Sequence, residues 1–133
     1  MLGAIIGDIV GSPYEIINIH SKREIKPFEN TIRGKCQFTD DSVLCMAVAS
    51  ALIQFGDRKD EIALGDAVAL NIQEYCRTYP CRREFLPMSS RYGSGFRKWV
   101  EQGDIRAFRK AKSNGGAMRA APLAGCILRL GKL

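Results

Sequence analysis

Thr39-Asp40-Asp41 place one hydroxyl and two carboxylates side by side, immediately before an apolar run over residues 43–55. Oxygen donors of this type are what a hard cation such as Mg²⁺ takes. The same residues also suit a helix start. Thr39 is a natural N-cap, and acids in a first turn favour the helix dipole by about 0.3–1 kcal/mol each. Residues 39–42 leave both readings open. A second acid of interest, Glu15, follows Ser12-Pro13-Tyr14 and by itself reads as solvated surface. Cysteines 36, 45, 76, 81 and 126 have no CxxC spacing and His20 is the single histidine, so neither a zinc set nor a Ser/Cys-His triad is legible. Buried, reduced thiols are the expectation. A P-loop is absent, because Gly125 to Gly131-Lys132 has five residues between the glycines and no Ser/Thr after the lysine. Gly93-Ser94-Gly95 lacks the third glycine of a dinucleotide fingerprint.

The elements that must position these groups are helical. From 42 to 55 only Ser42, Ser50 and Gln54 are polar, which predicts a buried central helix with the two aspartates in its first turn. Residues 2–12 read as a helix with Gly3, Gly7 and Gly11 four apart on one face. Each glycine costs about 1 kcal/mol relative to alanine. The stripe therefore serves either tight helix packing or close approach of a ligand. Ser12-Pro13 should end or turn this helix. Residues 16–37 read as an irregular connection. Asp60 caps a helix over 61–75, with Ile62, Val68, Ile72 and Tyr75 on its apolar side, and 76–92 read as a loop. A short helix over 96–102 turns Trp99 and Val100 inward and ends at Gly103; 104–112 form another short piece. Residues 113–116 read as a tight loop, and a last helix within 117–130 starts near Pro122. No strand is convincing. The expected class is all-α, one domain over 1–133.

The chain has 133 residues, 46% hydrophobic and 26% charged, as expected of a globular protein. Its apolar runs are too short to span a bilayer, and the N-terminus lacks a basic leader, so the expected location is the cytoplasm. A net charge of +6 favours anionic partners. The basic residues are dispersed from Lys22 to Lys132, with modest clusters at 82–83 and 106–112, and read as a solvated surface ahead of a nucleic-acid footprint.

Four segments, in order, resemble the ADP-ribosylglycohydrolase family. They are Gly3-Ala4-Ile5-Ile6-Gly7-Asp8-Ile9-Val10-Gly11-Ser12-Pro13-Tyr14-Glu15; Phe38-Thr39-Asp40-Asp41-Ser42-Val43-Leu44; the Tyr92 to Trp99 segment of the type Tyr-Gly-x-Gly-Phe-x-x-Trp; and Asn114-Gly115-Gly116-Ala117-Met118-Arg119-Ala120-Ala121-Pro122-Leu123. The resemblance implies a compact orthogonal all-α domain with two Mg²⁺ ions in a cleft. It implies hydrolysis of the glycosidic bond between ADP-ribose and a protein side chain or small leaving group. Carried over by position, Thr39, Asp40 and Asp41 would be metal ligands, with Asp40, Asp41 and Glu15 serving catalysis. Gly11, Glu15, Asn114, Gly115, Gly116 and Met118 would meet the ADP-ribose.

The sequence departs from the family in one large respect. Members carry a later Asp-x-Asp-Ser/Thr motif that supplies the remaining metal ligands, and these residues contain no Asp-x-Asp. A smaller departure is Ser113, where a glycine is usual. The expectation is a truncated, N-terminal part of the family fold with a partial Mg²⁺ site, inactive unless completed by a homodimer or a complementing C-terminal polypeptide. Apolar Leu123, Ile127, Leu128 and Leu130 would favour such association. Two alternatives stay open: a non-catalytic module that binds ADP-ribose or another nucleotide, and a small basic helical protein that binds nucleic acid.

Overall fold

The computed structural model describes residues 1–15, 26–30, 35–55, 60–83, 86–90, 92–107 and 115–124, of which 82–83 and 86–90 by their backbone. The elements run α1 (Leu2–Gly11), a 3₁₀ turn (Ser12–Tyr14), α2 (Asp40–Phe55), α3 (Glu61–Thr78), β1 (Arg82–Arg83), β2 (Leu86–Ser90), α4 (Ser94–Gln102) and α5 (Gly115–Met118). Residues 121–124 add a further helical turn. The class is all-α, as the sequence predicts, with one small exception.

That exception is an antiparallel pairing of β1 with β2, Arg82 opposite Ser90 and Arg83 opposite Leu86, with an irregular register between. The sequence reading made this part of a loop over 76–92, on Pro80, Pro87 and several basic residues. In a two-stranded ribbon each strand has one unpaired side, so a proline there costs no ladder bond.

The core forms where α2 meets α3. Val43, Leu44, Ala47 and Val48 of α2 pack with Ile72 and Cys76 of α3, and Cys81, Tyr92 and Val100 complete the cluster. Burying each of the larger aliphatic side chains contributes about 1.5–3 kcal/mol. Ala47 and Ala51 have no exposed surface, so small side chains on α2 let its neighbours come close. α2 is not buried on every side, however. Met46 and Ile53, seven apart and so on one face, are exposed.

Local signals explain the helix ends. The Asp60 carboxylate accepts from the Ile62 and Ala63 N–H groups at 3.0 and 3.1 Å, opening α3. Loss of such a cap costs about 1 kcal/mol. α3 runs three residues beyond the expected Tyr75, ending at Thr78 just ahead of Pro80. Ile62, expected on its apolar side, is exposed in the first turn. Gly103 closes α4 at φ 73°, the left-handed conformation glycine accepts without strain. A polar tie joins α3 to α4: Gln73 Nε2 donates to the Trp99 carbonyl at 3.2 Å, and Arg77 Nη2 donates to the Val100 carbonyl at 2.6 Å. Those carbonyls lie in the last turn of α4, where helical partners thin out; the Trp99 carbonyl also accepts from the Gly103 N–H at 3.3 Å. Trp99 and Val100 turn inward, as predicted.

Gly115 and Gly116 begin α5 instead of closing a loop. Ser113, Asn114 and the apolar residues 127, 128 and 130 lie outside the described residues, as do His20 and Cys126. Leu123 is exposed. Among the described residues, no helix is long and apolar enough to cross a membrane.

Candidate functional site

α1 and the 3₁₀ turn present one continuous face to an open cavity of about 550 Å³. The residues on it are Ala4, Gly7, Asp8, Gly11, Ser12 and Glu15, spaced three and four apart as one side of a helix must be. Asp41, Ser42 and Cys45 of α2 face them, and Ala117, Met118 and Ala121 close the remaining side.

The glycine stripe is decided by what lies over it. Among the described residues, a Cβ built on Gly3, Gly7 or Gly11 meets nothing within 4 Å, so no described helix packs closely against these glycines. Gly7 and Gly11 floor the cavity and leave it wide.

The joint between α1 and α2 rests on Asp8. Its Oδ2 accepts from the Thr39 N–H at 2.8 Å, the Ser42 N–H at 3.2 Å and the Ser42 hydroxyl at 2.5 Å. Its Oδ1 accepts from the Thr39 hydroxyl at 2.6 Å. Four donors meet a carboxylate that has about four lone-pair sites. The Thr39 Oγ1 in turn accepts from the Asp41 N–H at 3.2 Å, the bond of an N-cap. Thr39 is fully buried, so its capping role is on view. Nearby, Ser12 Oγ accepts from the Gln37 N–H at 3.1 Å and donates toward the Ile9 and Lys35 carbonyls, fastening residues 35–37 to the end of α1. This delivers the chain to Thr39.

Asp40 and Asp41 are neighbours in sequence but sit about 100° apart around the helix. Asp41 joins Asp8 and Glu15 in a group whose candidate ligand oxygens all lie within 4.8 Å of one another. Asp40 is not in that group; its charge acts on Arg119 and Cys76 instead. Burial lowers the Arg119 pKa, with Cys76 and Asp40 acting in the opposite sense, and the guanidinium lies 5.5 Å from the centre of the Phe96 ring. Among the described residues, Cys45 is the cavity's thiol. Burial raises its pKa, the N-terminal ammonium partly opposing, so the thiol stays protonated near neutral pH and makes a poor nucleophile.

The donor set suits a hard cation. Carboxylate oxygens sharing one Mg²⁺ at about 2.1 Å lie no more than about 4.2 Å apart, so a group within 4.8 Å needs only a small closure. Like charges gathered this closely repel, and a cation between them relieves the repulsion.

Of the residues singled out in the sequence, Gly11, Glu15, Asp41 and Met118 meet at this cavity. Gly115 is buried and Gly116 exposed in α5, neither on the cavity wall. Asp8, Ser42 and Cys45 were not singled out. The signal for Asp8 was an acid inside an otherwise apolar helix, set between two glycines on the face that leads to Glu15.

Comparison with known proteins gives the family. A family model described as ADP-ribosylglycohydrolase matches residues 1–131. Neither curated proteins nor solved structures gave a match. The chain belongs to the ADP-ribosylglycohydrolase family.

Proposed function

We propose that this member of the family takes part in Mg²⁺-dependent hydrolysis of the bond between ADP-ribose and a protein side chain or small leaving group. The observation that carries the reading is the convergence of Asp8, Glu15 and Asp41 across a cavity floored by bare glycines. Asp41 and Glu15 would hold the ion, and a bound Mg²⁺ would orient ribose hydroxyls and lower the pKa of water. Thr39 and Asp40, which the family resemblance also nominates, would act from the same first turn of α2.

The chain's own groups supply the rest. The Gly7 and Gly11 backbone lets a sugar approach α1 closely. Met118 and Ala117 offer an apolar wall opposite. Glu15, exposed at the cavity mouth, would accept a proton from water or a ribose hydroxyl on the carboxylate oxygen it does not give to the ion. The positive net charge favours approach of a pyrophosphate. We further propose that the active species is an assembly, a homodimer or a complex with a complementing polypeptide, which would complete the metal shell.

The test is ADP-ribosyl hydrolysis with and without Mg²⁺, with the solution mass recorded on the same sample. Metal-dependent turnover is expected, and Glu15→Gln should lower it by at least about 100-fold, the usual weight of a proton-transfer group. Binding of ADP-ribose without turnover under any metal would make the chain a binding module instead.

A further inference from the structure

We infer that Asp8 is a positioning residue, not a ligand: it fixes the spacing between Asp41 and Glu15 by latching α1 onto the first turn of α2. The inference rests on the metal reading above and concerns how the site is held.

Three observations carry it. First, the bonds of Asp8 go to Thr39 and Ser42, the residues that bracket Asp40 and Asp41. The aspartate pair is therefore pinned on both sides by one carboxylate. Second, Asp8 stands on the same helical face that ends in Glu15, seven residues on. Holding α1 against α2 thus sets where Glu15 stands relative to Asp41. Third, apolar packing does less here than at the other joint: among the described residues none of α1 is fully buried, and Ile5, Ile9 and Val10 are only half-buried. Leu2 and Ile6 are exposed. Three of the four donors reach Oδ2 and one reaches Oδ1, so most of the carboxylate's acceptor capacity is spent within the joint.

A ligand and a latch respond differently when the latch's other half is removed. Ser42→Ala keeps all three acids and frees part of the Asp8 carboxylate. Were Asp8 a ligand, Mn²⁺ would bind this variant as tightly as the parent, or more tightly. As a latch, its loss of grip lets Asp41 and Glu15 drift, and binding weakens. Asp8→Asn, which removes the charge and one acceptor oxygen, should weaken Mn²⁺ binding about 10- to 100-fold, the range for groups that orient ligands. Val100→Ala, remote in α4, should lower the thermal midpoint while leaving Mn²⁺ affinity within about twofold, since distant sites act independently.

The experiment pairs Mn²⁺ titration followed by electron paramagnetic resonance with amide exchange of the metal-free protein. The expected result is weaker Mn²⁺ binding in both Asp8→Asn and Ser42→Ala, with faster exchange along α1 and unchanged exchange along α3. Ser42→Ala binding as tightly as the parent, or an Asp8→Asn variant indistinguishable from it, overturns the inference. A parent that binds no Mn²⁺ overturns the metal reading instead, and exchange along α1 in Asp8→Asn then decides the latch without it.

Discussion

α2 is joined to two of its neighbours by opposite means. Its first turn meets α1 through one carboxylate and four hydrogen bonds, with no fully buried side chain contributed by α1. Its middle meets α3 through interlocked Val43, Leu44, Ala47, Val48, Ile72 and Cys76. Apolar packing is non-directional and tolerates small shifts, so it makes a good foundation but a poor ruler. Hydrogen bonds to a charged group are short and directional, and they fix the relative position of two backbones closely. The candidate site lies at the joint that measures, and the bulk of the fold's burial lies at the other.

Breaking the apolar joint should have the largest effect. Leu44 is 3% exposed, and Leu44→Ala should destabilise the protein by about 2–5 kcal/mol in denaturant titration. A loss below about 1 kcal/mol, less than the smallest cost usual for a buried leucine, would mean that this contact is not the foundation.

Alkaline pH tests the same joint through its titrating groups. Burial raises the Cys76 thiol from 9.0 to about 11, with Cys81 adding in the same direction and the Tyr92 hydrogen bond opposing. Burial also pushes Tyr92 well above its ordinary value. The unfolded chain releases these protons first, so between pH 9 and 11 it binds fewer protons than the folded one. Stability should be level with respect to Cys76 below pH 9 and fall as pH rises towards 11. Cys76→Ala should flatten that part of the decline in melts taken across the interval.

The smallest effect sharpens the polar side. No described atom stands over Gly3 or Gly7, so Gly→Ala at either should gain roughly 0.5–1 kcal/mol of helix stability, seen in thermal melts. Only Gly7 lines the cavity, so Gly7→Ala should also weaken ADP-ribose binding, and Gly3→Ala should not. Equal effects of the two variants on binding would remove the glycine face from the site.

Much of this was legible in the sequence because it is local. The Asp60 cap acts on donors two and three residues away, and Gly103 answers a single backbone angle. The apolar spacing of 43–55 predicts α2, and the ordered motifs give the family. Other assignments depended on partners far along the chain. The Asp8 carboxylate meets its donors 31 and 34 residues on, so nothing near it announced the latch. Which of Asp40 and Asp41 faces Glu15 turned on the rotation of α2 against α1. Whether the glycine stripe serves packing or a ligand turned on what stands over it. The sequence determined which segments are helical and which chemistry they could carry. Only the tertiary structure decided which oxygens meet, because a carboxylate's role as cap, latch or ligand is set by the donors and charges that folding brings to it.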